Sequence, residues 1–196
     1  TGAVGFVWQV PPESRDGFNG TTFALTGSLD SMLAKVQATN ATYTESALSF
    51  MLPPDYGKLP TLKQRGAKLM VYHGTADPIF SSDDTVDWYN TLRRDNGGDA
   101  ANFARLYLVP GMNHCSGGPA TDQFDMLTPL VNWVEKGVAP DSVTASARGA
   151  GNAAGANADL PAGWSASRSR PLCPYPQVAR YNGTGDVESA SSFSCK

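Results

Sequence analysis

His114 and Asp77 are the two side chains of this sequence best placed for acid–base chemistry. His114 stands in VPGMNHCSGG, directly after ARLYLVPG, a run that reads as a buried strand. Asp77 stands in YHGTADPI, after the apolar run AKLMVYHG. A carboxylate that accepts the ring N–H of an imidazole fixes its tautomer and stabilises the imidazolium. The other ring nitrogen is then free to act as a general base. Taken singly, Asp77 reads as a turn cap and His114 as a loop residue. Two such residues, each in its own strand-end loop, favour a catalytic pair. Cys115 directly follows His114, one of two histidines in a chain whose three cysteines are Cys115, Cys173 and Cys195.

The elements that must position this pair can be read around it. Residues 67–74 form a short apolar run ended by Gly74, the pattern of a strand buried on both faces. Residues 81–98 predict a helix: Ser81 or Ser82 caps it, Asp83 and Asp84 suit its positive end, and Arg93 and Arg94 suit its negative end. Those two aspartates read as helix-start residues rather than a metal pair. Residues 103–111 predict a second strand. Residues 121–137 predict a second helix, with Phe124, Leu127, Leu130, Val131 and Val134 at helical spacing and Pro129 either kinking it or marking where its main part begins. Strand, helix, strand, helix at this spacing implies parallel strands, a right-handed crossover and the α/β class. Ligands gather at the carboxyl ends of such strands, which lie about 4.8 Å apart, so Asp77 can reach His114. His73, at the end of the first strand, reads as packing under the Asp77 turn. The flanks are less regular. Helices are expected at 29–38 and 43–51, residues 138–170 are rich in Ala, Gly and Ser with little periodicity, and the end of the chain reads as mostly turns.

Composition bounds the partners. The chain has 196 residues and a formal net charge of −3, with no basic cluster, which argues against nucleic acid. No apolar run approaches the roughly 18 residues that span a bilayer, so no membrane partner is expected. The opening residues have neither the basic start nor the apolar centre of a signal peptide. Two histidines and three scattered cysteines show no zinc-ligand spacing.

The pair lacks a nucleophile. An α/β-hydrolase places its serine in a Gly-x-Ser-x-Gly elbow ahead of the aspartate. Upstream of Asp77, only Gly27-Ser28 comes near that pattern, without a preceding strand and with the wrong glycine spacing. Cys115 is a poor substitute, because neighbours in sequence seldom turn both side chains to one point.

The segments YHGTADPIFS, LYLVPGMNHCSGG, LVNWVEKGVAPD and SRPLCPYPQVARYNGTGD…FSCK together resemble the C-terminal part of the tannase and feruloyl esterase family. The resemblance runs from about residue 60 to the end, and residues 1–60 resemble, less closely, the last part of that family's inserted lid. It implies the C-terminal part of an α/β-hydrolase fold: residues 1–62 as the end of the lid with a linker, and residues 63–196 as part of the catalytic domain with a stapled tail. It implies that His114 is the base of a Ser-His-Asp triad, that Asp77 orients it, and that Cys115 is half of a disulfide to a cysteine beside the serine. Serine and cysteine would lie in an N-terminal segment or a second chain, and the odd cysteine count fits if Cys173 and Cys195 pair. That pair would close a loop of roughly 22 residues and contribute about 3 kcal/mol in the loop-entropy model. The residues alone leave open a free Cys115 or another pairing. The resemblance also implies a secreted or periplasmic serine esterase acting on aromatic esters such as feruloyl, cinnamoyl or galloyl esters. Phe6, Trp8 and Phe18 are candidates for an aromatic acyl pocket. No cofactor is expected in this chain, and calcium is expected, if anywhere, in the upstream part of the lid, since no Asp/Asn-dense loop occurs here. Without its serine the chain alone is expected to be inactive, with one sheet edge and much apolar surface exposed. The alternative is a non-catalytic fragment or accessory chain that binds a partner or phenolic ligand without turnover.

Overall fold

The computed structural model describes residues 2–196, which fall into two units, the first ending at Tyr56 and the second running from Gly57 to Lys196. The first unit holds four short helices: α1 (Gly2–Phe6), α2 (Gly20–Thr26), α3 (Leu29–Gln37) and α4 (Ala47–Met51). Asn19, Ser28 and Ser46 cap the last three, each side-chain oxygen accepting a backbone N–H from the first turn. The helix expected at 43–51 starts only at Ala47, because Ser46 caps there and Asn40 has already taken the N–H groups of Thr42 and Tyr43 into a turn. Phe6 and Phe18 pack with ring centroids 4.5 Å apart, and a Cβ on Gly5 would stand 3.0 Å from the Phe18 ring.

The second unit begins six residues ahead of the expected boundary at 62/63. The difference has a physical cause. Helix α5 (Pro60–Gln64) belongs to this unit, with Leu59 and Leu62 packed on its core and Lys58 O accepting from Asn96 Nδ2. Strand β1 (Leu69–Gly74), helix α6 (Ser82–Asp95) and strand β2 (Ala104–Val109) follow, and β1 and β2 pair in parallel from Leu69–Ala104 to Gly74–Val109. Alternate β2 side chains face two cores. Ala104 and Leu106 join Tyr89 and Leu92 of α6, while Tyr107 and Val109 join Met112, Ala145 and Leu172. Each fully buried leucine here contributes about 1.5–3 kcal/mol relative to exposure.

Residues 121–126 are not helical as expected. Gln123–Phe124 form strand β3, and helix α7 (Leu127–Lys136) starts after it. Asp125 explains the late start: its Oδ1 accepts from the N–H groups of Leu127 and Thr128, at 2.8 and 3.0 Å. Pro129 then lies in the first turn of α7, where its missing N–H leaves no intrahelical bond unmade. Strand β4 (Val143–Ser146) pairs antiparallel with β3 and with β5 (Ser169–Leu172), and β6 (Ala179–Tyr181) pairs antiparallel with β7 (Phe193–Cys195). These strands lie where the sequence suggested irregular chain. Cys173 and Cys195 are joined by a disulfide.

Strand β1 is also not buried on both faces. Tyr72 is 43% exposed, and among the described residues β1 pairs only with β2. The stripe expected on the second helix is likewise open: Leu127 is 68% and Val134 is 56% exposed, and only Trp133 is buried.

Candidate active site

Two loops meet at the carboxyl ends of β1 and β2. The loop after β1 shapes itself. Asp77 N donates to Gly74 O, and Asp77 Oδ1 accepts from the N–H groups of Ile79 (2.8 Å) and Phe80 (3.0 Å). This is an Asx-type turn, the structure an aspartate in TADPIF favours by bonding to its own chain. His73 lies under the turn, as its position at the strand end suggested. Its Nε2 donates to Phe80 O at 3.1 Å, because a carbonyl only accepts, and Nδ1 meets the Thr85 hydroxyl of α6 at 2.7 Å. The turn is thereby tied to the first turn of α6.

The loop after β2 approaches so closely that Gly74 is required to have no side chain. A Cβ there would stand 2.2 Å from Met112 O and 2.7 Å from Asn113 O. Thr75 laces the two loops, its N–H donating to Val109 O and its Oγ1 accepting from Gly111 N, both at 3.0 Å. Ala76 N donates to Met112 O at 3.1 Å.

This lacing brings the expected pair together. His114 Nδ1 and Asp77 Oδ2 are 2.9 Å apart. The carboxylate side chain is 6% exposed and the imidazole 43% exposed. Burial alone would raise the Asp77 pKa, but the hydrogen bond from His114 and the two backbone N–H groups outweigh it and hold the pKa down at about 2. Asp77 is therefore an anion at any ordinary pH, and its Oδ2 accepts a hydrogen bond from His114 Nδ1–H. Nε2 has no hydrogen-bond partner among the described residues, so its lone pair is available as a base. His73 Nε2 lies 3.5 Å from the same Asp77 oxygen. The Phe80 ring stands 5.6 Å from the His114 ring.

The histidine loop is held from a distance. Cys115 has φ +66, a left-handed conformation that costs a non-glycine residue roughly 1–2 kcal/mol and persists only where the surroundings impose it. They do so through Asp122, whose side chain is fully buried. Its Oδ2 accepts from Gly117 N and from Arg148 Nη2, both at 2.8 Å. The bond to Asp122 raises the Arg148 pKa further. Asp159 Oδ2 accepts from Gly118 N at 2.9 Å, and Asn157 Nδ2 donates to Gly118 O at 2.8 Å. Sequence reasoning missed Asp122, Arg148, Asn157 and Asp159, as well as Phe80 beside the imidazole. The available signal was scarcity: Arg148, Asn157 and Asp159 are isolated polar groups in an Ala/Gly-rich stretch.

Cys115 is exposed and makes no disulfide among the described residues. Phe6, Trp8 and Phe18, the candidates for an acyl pocket, all lie half-buried in the first unit. Among the described residues, no group of three or more His, Cys, Asp or Glu side chains could hold a metal ion, and no helix is long and apolar enough to cross a membrane.

The family described as tannase and feruloyl esterase matches residues 20–196. Mono(2-hydroxyethyl) terephthalate hydrolase of Piscinibacter sakaiensis is 48% identical over 169 residues, 82% of this chain and 25% of that protein. A probable feruloyl esterase of Arthroderma benhamiae is 37% identical over 141 residues, 70% of this chain and 24% of that protein. The crystal structure of feruloyl esterase B from Aspergillus oryzae superposes with TM-score 0.55 at 26% identity, covering 71% of this chain and 29% of the other. The chain thus spans about a quarter of the length of these relatives.

Proposed function

This chain belongs to the tannase and feruloyl esterase family, and from that membership we propose that it supplies the aspartate and histidine of a Ser-His-Asp triad in a carboxylic ester hydrolase acting on aromatic esters. The observation that carries the reading is the 2.9 Å contact between His114 Nδ1 and Asp77 Oδ2, with Nε2 left open. A serine hydroxyl brought to Nε2 attacks the ester carbonyl while His114 takes its proton. Asp77 stabilises the imidazolium, the alcohol leaves with that proton, and water releases the acid from the acyl-enzyme by the same steps reversed. Phe80, beside the imidazole, is placed to meet the aromatic acyl group, and the relatives named for feruloyl and terephthalate esters point to such groups.

The serine is assigned to sequence matching the remaining three quarters of the relatives, and Cys115 is assigned a disulfide to a cysteine beside it. The same segment would cover the open side of β1 and the apolar stripe of α7. The first unit, ending at Tyr56, is assigned to the end of a lid, with Phe6, Trp8 and Phe18 as its candidates for substrate contact, and calcium, if present, belongs to the lid upstream. The Cys173–Cys195 bond supports a secreted or periplasmic protein, since such bonds persist in oxidising compartments.

The second reading is a chain that binds a partner or phenolic ligand without turnover. Hydrolysis of methyl ferulate by the full-length protein decides between them. Turnover lost in His114→Ala supports the esterase, and no turnover in a folded protein whose Cys115 is a free thiol supports the binder.

A further inference from the structure

A cavity of about 530 Å³ opens beside β2 and the tail; it adjoins the two site loops at Thr75 and Gly111, but neither Asp77 nor His114 lines it. Its volume lies within the range of roughly 300–1,000 Å³ in which small-molecule sites fall. Most of the wall is ring-bearing and apolar: Pro119, Pro171, Pro176, Tyr175 and Phe193 contribute flat surfaces. Two guanidinium groups share it. Arg168 lies 4.0 Å above the Trp164 ring and is paired with Glu188. Arg170 lies 4.1 Å above the Phe193 ring and donates from Nη1 to Ser169 O at 2.7 Å.

Arg170 meets no carboxylate within ion-pair distance among the described residues, although an arginine carries five N–H donors. Burial and the neighbouring Arg168 both draw its pKa down, opposed by the charges of Glu188 and Asp186. Glu188 is engaged by Arg168 and by the N–H of Ser165, and Asp186 is exposed with its Oδ1 accepting from Glu188 N. A partly desolvated cation with donors to spare, set among flat apolar walls, is the arrangement that binds a planar acid: rings against prolines and aromatics, carboxylate on the guanidinium edge.

We infer that this cavity is a second binding site, separate from the His114–Asp77 pair, for a small aromatic carboxylate held by Arg170. The site does not depend on ester hydrolysis, though an acid product of that reaction would have the right chemistry to enter it.

Calorimetric titration of the full-length protein with sodium ferulate, and with neutral methyl ferulamide as a control, tests the site. Binding of ferulate should weaken by roughly tenfold or more in Arg170→Gln, and methyl ferulamide should bind weaker by a similar factor. Val178→Trp, which fills the cavity from a half-exposed position without removing the cation, should weaken ferulate binding too. Both variants should melt with the parent protein and hydrolyse methyl ferulate at its rate. Ferulate binding that neither variant changes, or no ferulate binding at all, overturns the inference. Loss of ester hydrolysis in the parent protein would instead count against the proposed function and leave this titration intact as a test.

Discussion

The two loops of the site are built in opposite ways. The loop after β1 shapes itself: one Asp77 oxygen closes the turn on Ile79 and Phe80, two and three residues on. The loop after β2 is shaped by others. Asp122, Arg148, Asn157 and Asp159, up to 41 residues from the glycines they hold, fix Gly117 and Gly118 and thereby the backbone of His114 and Cys115. The carboxylate proposed as orienter thus sits on a local turn, and the imidazole proposed as base sits on a platform fixed by tertiary contacts. Changes at the first loop should cut the chemistry while sparing the fold, and changes beneath the second should cost both.

The largest expected effect is on the base itself. His114→Ala should lower kcat on methyl ferulate by about 10⁴-fold or more, with a melting temperature close to the parent's. Next comes Arg148→Met, which strands a buried Asp122 carboxylate. It should lower the melting temperature by several degrees and, by letting the histidine loop drift, lower kcat by up to about 10²-fold. If Arg148→Met loses stability without losing kcat, the platform is structural only and the contrast between the loops fails. Replacing Cys173 and Cys195 together by serine should cost about 3 kcal/mol of stability with little change in kcat, which denaturant melts beside steady-state rates would show.

The smallest effect is that of acid on Asp77. Its folded pKa, about 2, lies below the value of 3.8 expected without the fold, so its contribution to stability is present above about pH 4 and fades as pH falls toward 2. Acid melts of Asp77→Asn should accordingly lack the part of the parent's pH dependence between those values.

The same contrast explains what the sequence made legible. Asp77, His114, β1, β2 and α6 are encoded by short-range signals: apolar runs, a Ser81 cap and turn residues in order. The α7 start was misplaced because Asp125 acts as a side-chain cap inside an apolar pattern that continues on either side of it. Strands β4 to β7 are only three or four residues long, too short for any alternation to stand out from the surrounding chain. They are held by pairing with distant partners and by the Cys173–Cys195 bond, neither of which has a local signature. The supports of the histidine loop are invisible for the same reason: each is one polar residue whose partner lies 5 to 41 positions away. The stripe on α7 was legible as a pattern, but its exposure was not, because periodicity shows which side chains share a face and not whether that face is buried.

The central claim is that Asp77 and His114 act as one unit. A double-mutant cycle of His114→Ala and Asp77→Asn, read as kcat/KM on methyl ferulate in the full-length protein, tests it directly. If the two act together, the double variant is no slower than His114→Ala, within about threefold, because an orienter has no effect once the base is gone. Losses that multiply, or an Asp77→Asn variant as active as the parent, would contradict it.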